Sequence, residues 1–252
     1  MNAGELIPVA GREPWPGERT DRLYFTALSL VVLLLIFVAF APSYFLHEMY
    51  RHPAPPPYIV LHGAMMTGWV ALLVIQALLV SAGRVTWHSR LGIYGLYYAA
   101  LLVPVGCIAV TISAAREVHG HTSFMLPELN VLGISLMQML LFGVWAGAAG
   151  ALRRRPDFHK RLITLATLSL LPNAIVRLSF NVPLFDFMQT NLSILNTWAA
   201  FFFVVLAVDA ARTRRLHPVF ALGGLATAAA LYAVWFISRT NAWDQFWIRS
   251  LT

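Results

Sequence analysis

The sequence predicts an all-α polytopic membrane protein: a seven-transmembrane-helix bundle with a cytoplasmic N-terminus and an outer C-terminus. Three observations carry this. Of 252 residues, 59% are hydrophobic and only 12% charged, about half the charged share of an ordinary soluble domain. Seven apolar runs approach the roughly 20 residues that cross a bilayer. The basic residues crowd onto alternate loops. Alternating strands are absent from the pattern, which argues against a transmembrane barrel.

The runs lie near 24–46, 58–82, 91–113, 131–152, 162–180, 192–211 and 219–238. Within the first, Ala39-Phe40-Ala41 resembles a cleavage site. The run is too long for a signal peptide and Pro42 follows, so it reads as a retained helix. Residues 1–22 form a polar cytoplasmic tail, 23–238 the seven-helix domain and 239–252 a short outer tail. The fifth run is the most interrupted, because it contains Pro172, Asn173 and Arg177.

With seven crossings, the N-terminal tail and loops 83–90, 153–161 and 212–218 share one side and carry thirteen of the eighteen Lys and Arg residues. Arg51, Arg116, Arg239 and Arg249 lie opposite, with Arg177 near that boundary. The positive-inside rule then sets the orientation. The net charge of +7 expresses topology rather than nucleic-acid binding. Cys107 is the one cysteine, which excludes an intrachain disulfide, a C-x-x-C-H haem attachment and a thiolate-ligated cluster. Lys160 is the one lysine and lies in a loop. A retinal Schiff base within a span is therefore excluded.

Two segments echo each other: Trp87-His88-Ser89-Arg90-Leu91 opens span three, and Phe158-His159-Lys160-Arg161-Leu162 opens span five. Spans two–three and four–five thus read as a parallel repeat of hairpins. His88 and His159 fit interfacial anchors touching phosphates or neighbouring loops. A cytoplasmic ligand pair, or a pair holding a cofactor propionate, is the other reading.

Polar groups on spans face the bundle interior. His62, Trp69 and Gln76 recur every seven residues on span two, nearly two turns apart, and share one face with Met65 and Met66 beside it. Span four adds Gln138, Trp145 and a Gly143/Gly147 pair spaced for close helix approach. In span five, Pro172 should kink the helix. Asn173, Arg177 and Asn181 follow at four-residue spacing, and Asp186 lies beyond Pro183. The topology places His47, Glu48, His52, His62, His119, His121, Glu128, Arg177, Asn181 and Asp186 on or near the outer face. Imidazoles and carboxylates ligate transition metals, and imidazole pairs hold haem. His47, His52, His62, His119 and His121 are therefore the candidate metal ligands. His62, Trp69, Gln76, Asn173 and Asn181 are candidate cofactor contacts, and Arg177, Asp186 and Glu128 candidate catalytic groups. No H-E-x-x-H or H-x-x-x-H pattern occurs. His217, before Pro218, reads as an interface residue.

The pairing of His88-Ser89-Arg90-Leu91-Gly92 with His159-Lys160-Arg161-Leu162 resembles uncharacterised bacterial integral-membrane families, and more loosely the membrane domains of b-type cytochromes, over roughly residues 58–180. The resemblance implies an inner-membrane bundle binding haem b through histidines. In those cytochromes the ligands are paired within spans, whereas only His62 lies clearly inside one here.

Three functions compete. The first is a redox or metal-dependent membrane protein using a transition metal or haem b. His62 would hold it with help from His47, His119 or His121, Arg177 would balance an anionic group, and the Met- and aromatic-rich interior would admit a quinone or lipid-like substrate. The second is a non-catalytic subunit or assembly factor of a larger membrane complex, consistent with eight Trp and sixteen Phe available for helix and lipid contacts. A transporter ranks third, because only span five has the broken helix that class uses.

Overall fold

The computed structural model describes residues 16–119, 129–181 and 190–251. Seven helical segments are long and apolar enough to cross a membrane, and they coincide with the seven predicted runs: 19–45, 57–81, 85–116, 131–151, 156–180, 192–213 and 219–237. Helix α1 (Pro16–Phe40) runs into a π-helical turn, Ala41–Phe45. Then come α2 (Pro57–Ser81), α3 (Val85–Val118), α4 (Leu129–Ala151), α5 (Pro156–Ser169), α6 (Leu171–Asn181) and α7 (Asn191–Thr213). A π-helical turn, Val219–Gly223, opens α8 (Gly224–Ile237), and α9 (Asn241–Leu251) ends the chain's described part.

Local chemistry sets these boundaries. Proline stands at the first turn of α2 and α5, where its missing N–H costs nothing and its φ is already helical. Gly83, at φ +72°, makes the tight turn between α2 and α3. Helix α3 starts about two turns earlier than the apolar run, so His88 and Arg90 sit inside it rather than before it.

The fifth span is the centre of the bundle. In its most apolar stretch 78% of residues are buried, against 17% in spans one and two. Helices α1 to α4 pack in sequence, α6 lies against α1 and α7, and α8 against α4 and α7. The span breaks at Leu170, between α5 and α6, as Pro172 requires. A proline at position 172 offers no N–H to the Leu168 carbonyl. Trp198 of α7 supplies the missing donor, Nε1 to the Leu168 oxygen at 2.8 Å. Replacing Trp198 with Phe strands that buried carbonyl and is expected to cost about 1–3 kcal/mol, read as a lower unfolding temperature in detergent.

Other polar links join the spans in the same way. Trp145 Nε1 donates to Thr227 Oγ1 (3.0 Å), Tyr98 Oη to the Met65 carbonyl (2.7 Å) and Tyr24 Oη to the Val205 carbonyl (3.0 Å). Such bonds are part of what holds helices together where lipid removes the hydrophobic drive. The expected Gly143/Gly147 contact is only half present. A side chain at Gly143 would press on Val103, whereas nothing lies close to Gly147; Gly150 is the next glycine to pack tightly, against Leu96. The two glycines that pack tightly are seven residues apart, as are Val103 and Leu96 that they meet on α3.

Candidate functional site

The proline run 55–57 straightens the chain into α2 and delivers His62 to the second turn of a rigid helix. The residue before the helix, Pro56, is extended (φ −63°, ψ 155°) and Pro57 begins it. Tyr44, from the π-helical turn after α1, folds over this end. Its hydroxyl donates to the Val60 carbonyl (2.8 Å), and its ring lies where a Cβ on Gly63 would be. A glycine is thus required at position 63 for the ring to close down beside His62.

Behind that ring is a cavity of about 140 Å3 between α1, α2, α4 and the broken fifth span. His62, Trp69, Asn173 and Arg177 all line it. Four of the residues singled out by spacing therefore meet, and the break at Leu170 brings two of them there. Ser135 adds a hydroxyl, and Met66 and Met139 add polarisable walls. His62 is half-buried, and its Nδ1 is buried with no hydrogen-bond partner among the described residues. An unmatched ring nitrogen is costly in a membrane interior. Nearby, the Gln138 amide is fully buried and lacks partners among the described residues, beside a void of about 10 Å3 bordered by Asn173 and Pro172. That volume suits one water.

Trp69 forms the floor. It is buried, packs edge-on against Phe142 with centroids 4.9 Å apart, and its Nε1 donates to Thr167 Oγ1 at 3.1 Å. Thr167 itself donates to the Ile163 carbonyl (3.0 Å). It also lines a second cavity of about 130 Å3 on the other side, toward the arginine-rich end. Two cavities thus stand in series along the central span with the Trp69–Thr167 pair between them.

Gln76 belongs to the second cavity, with His88 and His159. It shares the face of His62, as its spacing predicts, but fourteen residues place it about 21 Å further along the helix. In the orientation that satisfies its neighbours, its amide nitrogen donates to His88 Nδ1 (2.6 Å) and to the His88 carbonyl (3.2 Å), while its oxygen accepts from the Gly92 N–H (3.0 Å). His159 Nδ1 donates to the Ala149 carbonyl at 2.9 Å. The two imidazoles approach edge to face, centroids 6.2 Å apart. The repeated His-x-Arg-Leu motif therefore ends with both rings in contact.

The described histidines expected at the outer face are spread more widely. His47 is half-buried and bonds through Nδ1 to the Tyr44 carbonyl (3.1 Å); His119 is exposed and bonds to the Ala115 carbonyl (2.7 Å); His52 and Glu48 are exposed. None of these lines the His62 cavity. Among the described residues, no three His, Cys, Asp or Glu side chains meet as a metal set. His121, Glu128 and Asp186, and the side chain of Asn181, lie outside the described residues.

Sequence reasoning missed a charge network at the arginine-rich end. Arg161 and Asp209 are both buried and paired twice, Nε to Oδ2 at 2.8 Å and Nη2 to Oδ1 at 3.0 Å. Arg212 reaches the same carboxylate (2.6 Å) and also Asp21 of α1, which Lys160 holds as well. Asp157 binds Lys160 (3.0 Å), Arg161 (3.2 Å) and Arg215 (3.0 Å). The available signal was Asp209 itself, an acidic residue in an otherwise apolar helical run. His217, two residues before the seventh span, is buried beside this network. Its ring lies against Phe158 at 4.9 Å, and its Nδ1 accepts from the Val219 N–H (3.3 Å). Burial, reinforced by the Arg161 cation, pushes its pKa below the usual imidazole value.

The fold and these cavities stand on their own geometry, because comparison with protein-family models, curated proteins and solved structures gave no match.

Proposed function

We propose that this multi-pass protein of the bacterial inner membrane, its arginine-rich end in the cytoplasm, binds the polar head of a quinone-like or lipid-like molecule in the His62–Arg177 cavity and has a redox role through that ligand. The observation that carries the reading is the meeting of His62, Asn173 and Arg177 on one intramembrane cavity. Imidazole and carboxamide hydrogen-bond to ring carbonyls. A guanidinium favours an oxygen that carries or gains negative charge. Trp69, Met66 and Met139 supply apolar contact for a flat ring. The volume is below the several hundred Å3 of pockets that enclose drug-sized ligands, so it suits a head group rather than a whole lipid.

The transition metal or haem b suggested by the histidine count fits this cavity less well. His62 is its one described imidazole, short of the three-ligand or bis-imidazole sets such groups use. The cavity therefore reads as a substrate site, with Arg177 and His62 as its polar contacts.

Titration of the purified protein with a short-chain quinone, followed by tryptophan quenching, tests this. Saturable quenching is expected in the native chain. Arg177→Gln and His62→Ala are each expected to weaken it about tenfold or more, the scale of losing a hydrogen bond to a charged or buried group. His47→Ala should bind as the native chain does. Equal binding by all four proteins would remove the assignment. A visible spectrum with metal quantification on the same samples reads the metal-dependent form: haem or metal present in stoichiometric amount and lost with His62→Ala would restore it.

A further inference from the structure

We propose that the groove between α2 and α3 at the arginine-rich end is a specific site for one anionic phospholipid, with its phosphate held by Arg84 and Arg90. The groove has a volume of about 860 Å3 and runs from these arginines past Leu79, Trp87, Tyr94 and Tyr97. Residues 87, 90, 94 and 97 recur at helical spacing and form one stripe of α3. Trp87, Tyr94 and Tyr97 are 62%, 72% and 73% exposed.

Charge identifies the occupant. Lys160, Arg161 and Arg212, buried or half-buried at this end, each hold a carboxylate, whereas Arg84 and Arg90 are exposed at the mouth of the groove. Among the described residues, neither Arg84 nor Arg90 has a carboxylate. Arg90 instead places its guanidinium over the Trp87 ring, 5.9 Å from the centroid. Two guanidiniums at the mouth of an apolar groove lack an anion, and a phosphodiester supplies it. Trp87 marks the level of the membrane interface.

The tyrosines point to the same occupant. They lie seven and ten residues further along α3, about 10 and 15 Å deeper. Neither hydroxyl has a hydrogen-bond partner among the described residues. A hydroxyl facing hydrocarbon without a partner is costly. Tyr94, the shallower of the two, can turn its polar tip toward the interface, where the ester carbonyls of a phospholipid are acceptors, while the acyl chains follow Leu79 and the Tyr97 ring. A concave groove with a cationic mouth suits a lipid better than it suits the flat face of another helix. None of these residues lines the His62 cavity, so this site stands or falls separately.

Native mass spectrometry of the detergent-purified full chain tests it, with phosphatidylglycerol and phosphatidylcholine offered in equal amount. The native protein should retain phosphatidylglycerol about tenfold or more over phosphatidylcholine, the scale two interfacial arginines supply. Arg84→Gln with Arg90→Gln should abolish the preference. Arg153→Gln with Arg154→Gln, which changes two other exposed arginines at that end, should keep it. Photoactivatable phosphatidylglycerol in native membranes provides a reading without variants, and its label should fall on the stretch from 84 to 97. Equal retention of both lipids, a preference unchanged in the first double variant, or label concentrated elsewhere would overturn the site. So would cross-linking that shows a second copy of the chain covering this face.

Discussion

Replacing Asp209 with Ala is expected to destabilise the protein by about 3–5 kcal/mol, the cost of stranding one member of a buried ion pair. Arg161 would keep its charge inside the bundle with only Asp157 to answer it, and Arg212 would lose one of its two carboxylates. Arg161→Met leaves Asp209 with Arg212 alone, and the same argument applies in milder form. Removing both partners together, Arg161→Met with Asp209→Leu, should recover much of the loss, because a pair replaced by apolar groups leaves no unpaired charge. Cys107 makes the measurement simple. It is the one cysteine and is only partly accessible in the folded chain, so a thiol-reactive fluorophore reports its exposure on heating. The unfolding temperature should rank native highest, the double variant next and Asp209→Ala lowest. A double variant worse than Asp209→Ala would refute the charge-stranding account.

Trp69→Ala is expected to have the second large effect. Its indole is buried, packs on Phe142 and donates to Thr167. Truncating a buried Trp costs about 3–5 kcal/mol through lost contacts and the cavity left behind. Trp69→Phe keeps most of the volume and gives up the hydrogen bond, about 1 kcal/mol. The alanine variant has a second consequence. It removes the partition between the two cavities, so a ligand held at His62 loses its floor. Quinone affinity should therefore fall in Trp69→Ala beyond what its lower stability explains, and far less in Trp69→Phe. Equal affinity in both would mean that the indole does not bound the ligand site.

Much of the architecture was legible in the chain. The seven spans follow from apolar length alone, and the break in the fifth follows from Pro172. The shared face of His62 and Trp69 follows from a period of seven. What was not legible has a common physical cause: spacing along one helix says which way a residue faces, and topology says which end of the bundle it occupies, but neither says which neighbour it meets. Asp209 and Arg161 are on different spans, and nothing in either segment names the other. His47, His52 and His119 follow the first and third spans and so share one end of the bundle, yet that end is far wider than a coordination sphere, and they settle on local backbone or solvent. His88 and His159 meet because the fifth span is central, which hydropathy does not reveal. The amphipathic helix α9 falls in what the sequence shows only as a tail, since its eleven residues are too few to register as a span.

The proposed function requires His62, Asn173 and Arg177 to act as one ligand site inside the membrane. Photoaffinity labelling with an azidoquinone, mapped by peptide mass spectrometry, tests this most directly. Label is expected on the cavity walls around Met66 and Met139, suppressed by excess unlabelled quinone and lost in Arg177→Gln. Label spread evenly over the lipid-facing surface, or concentrated at sites that do not border this cavity, would contradict it.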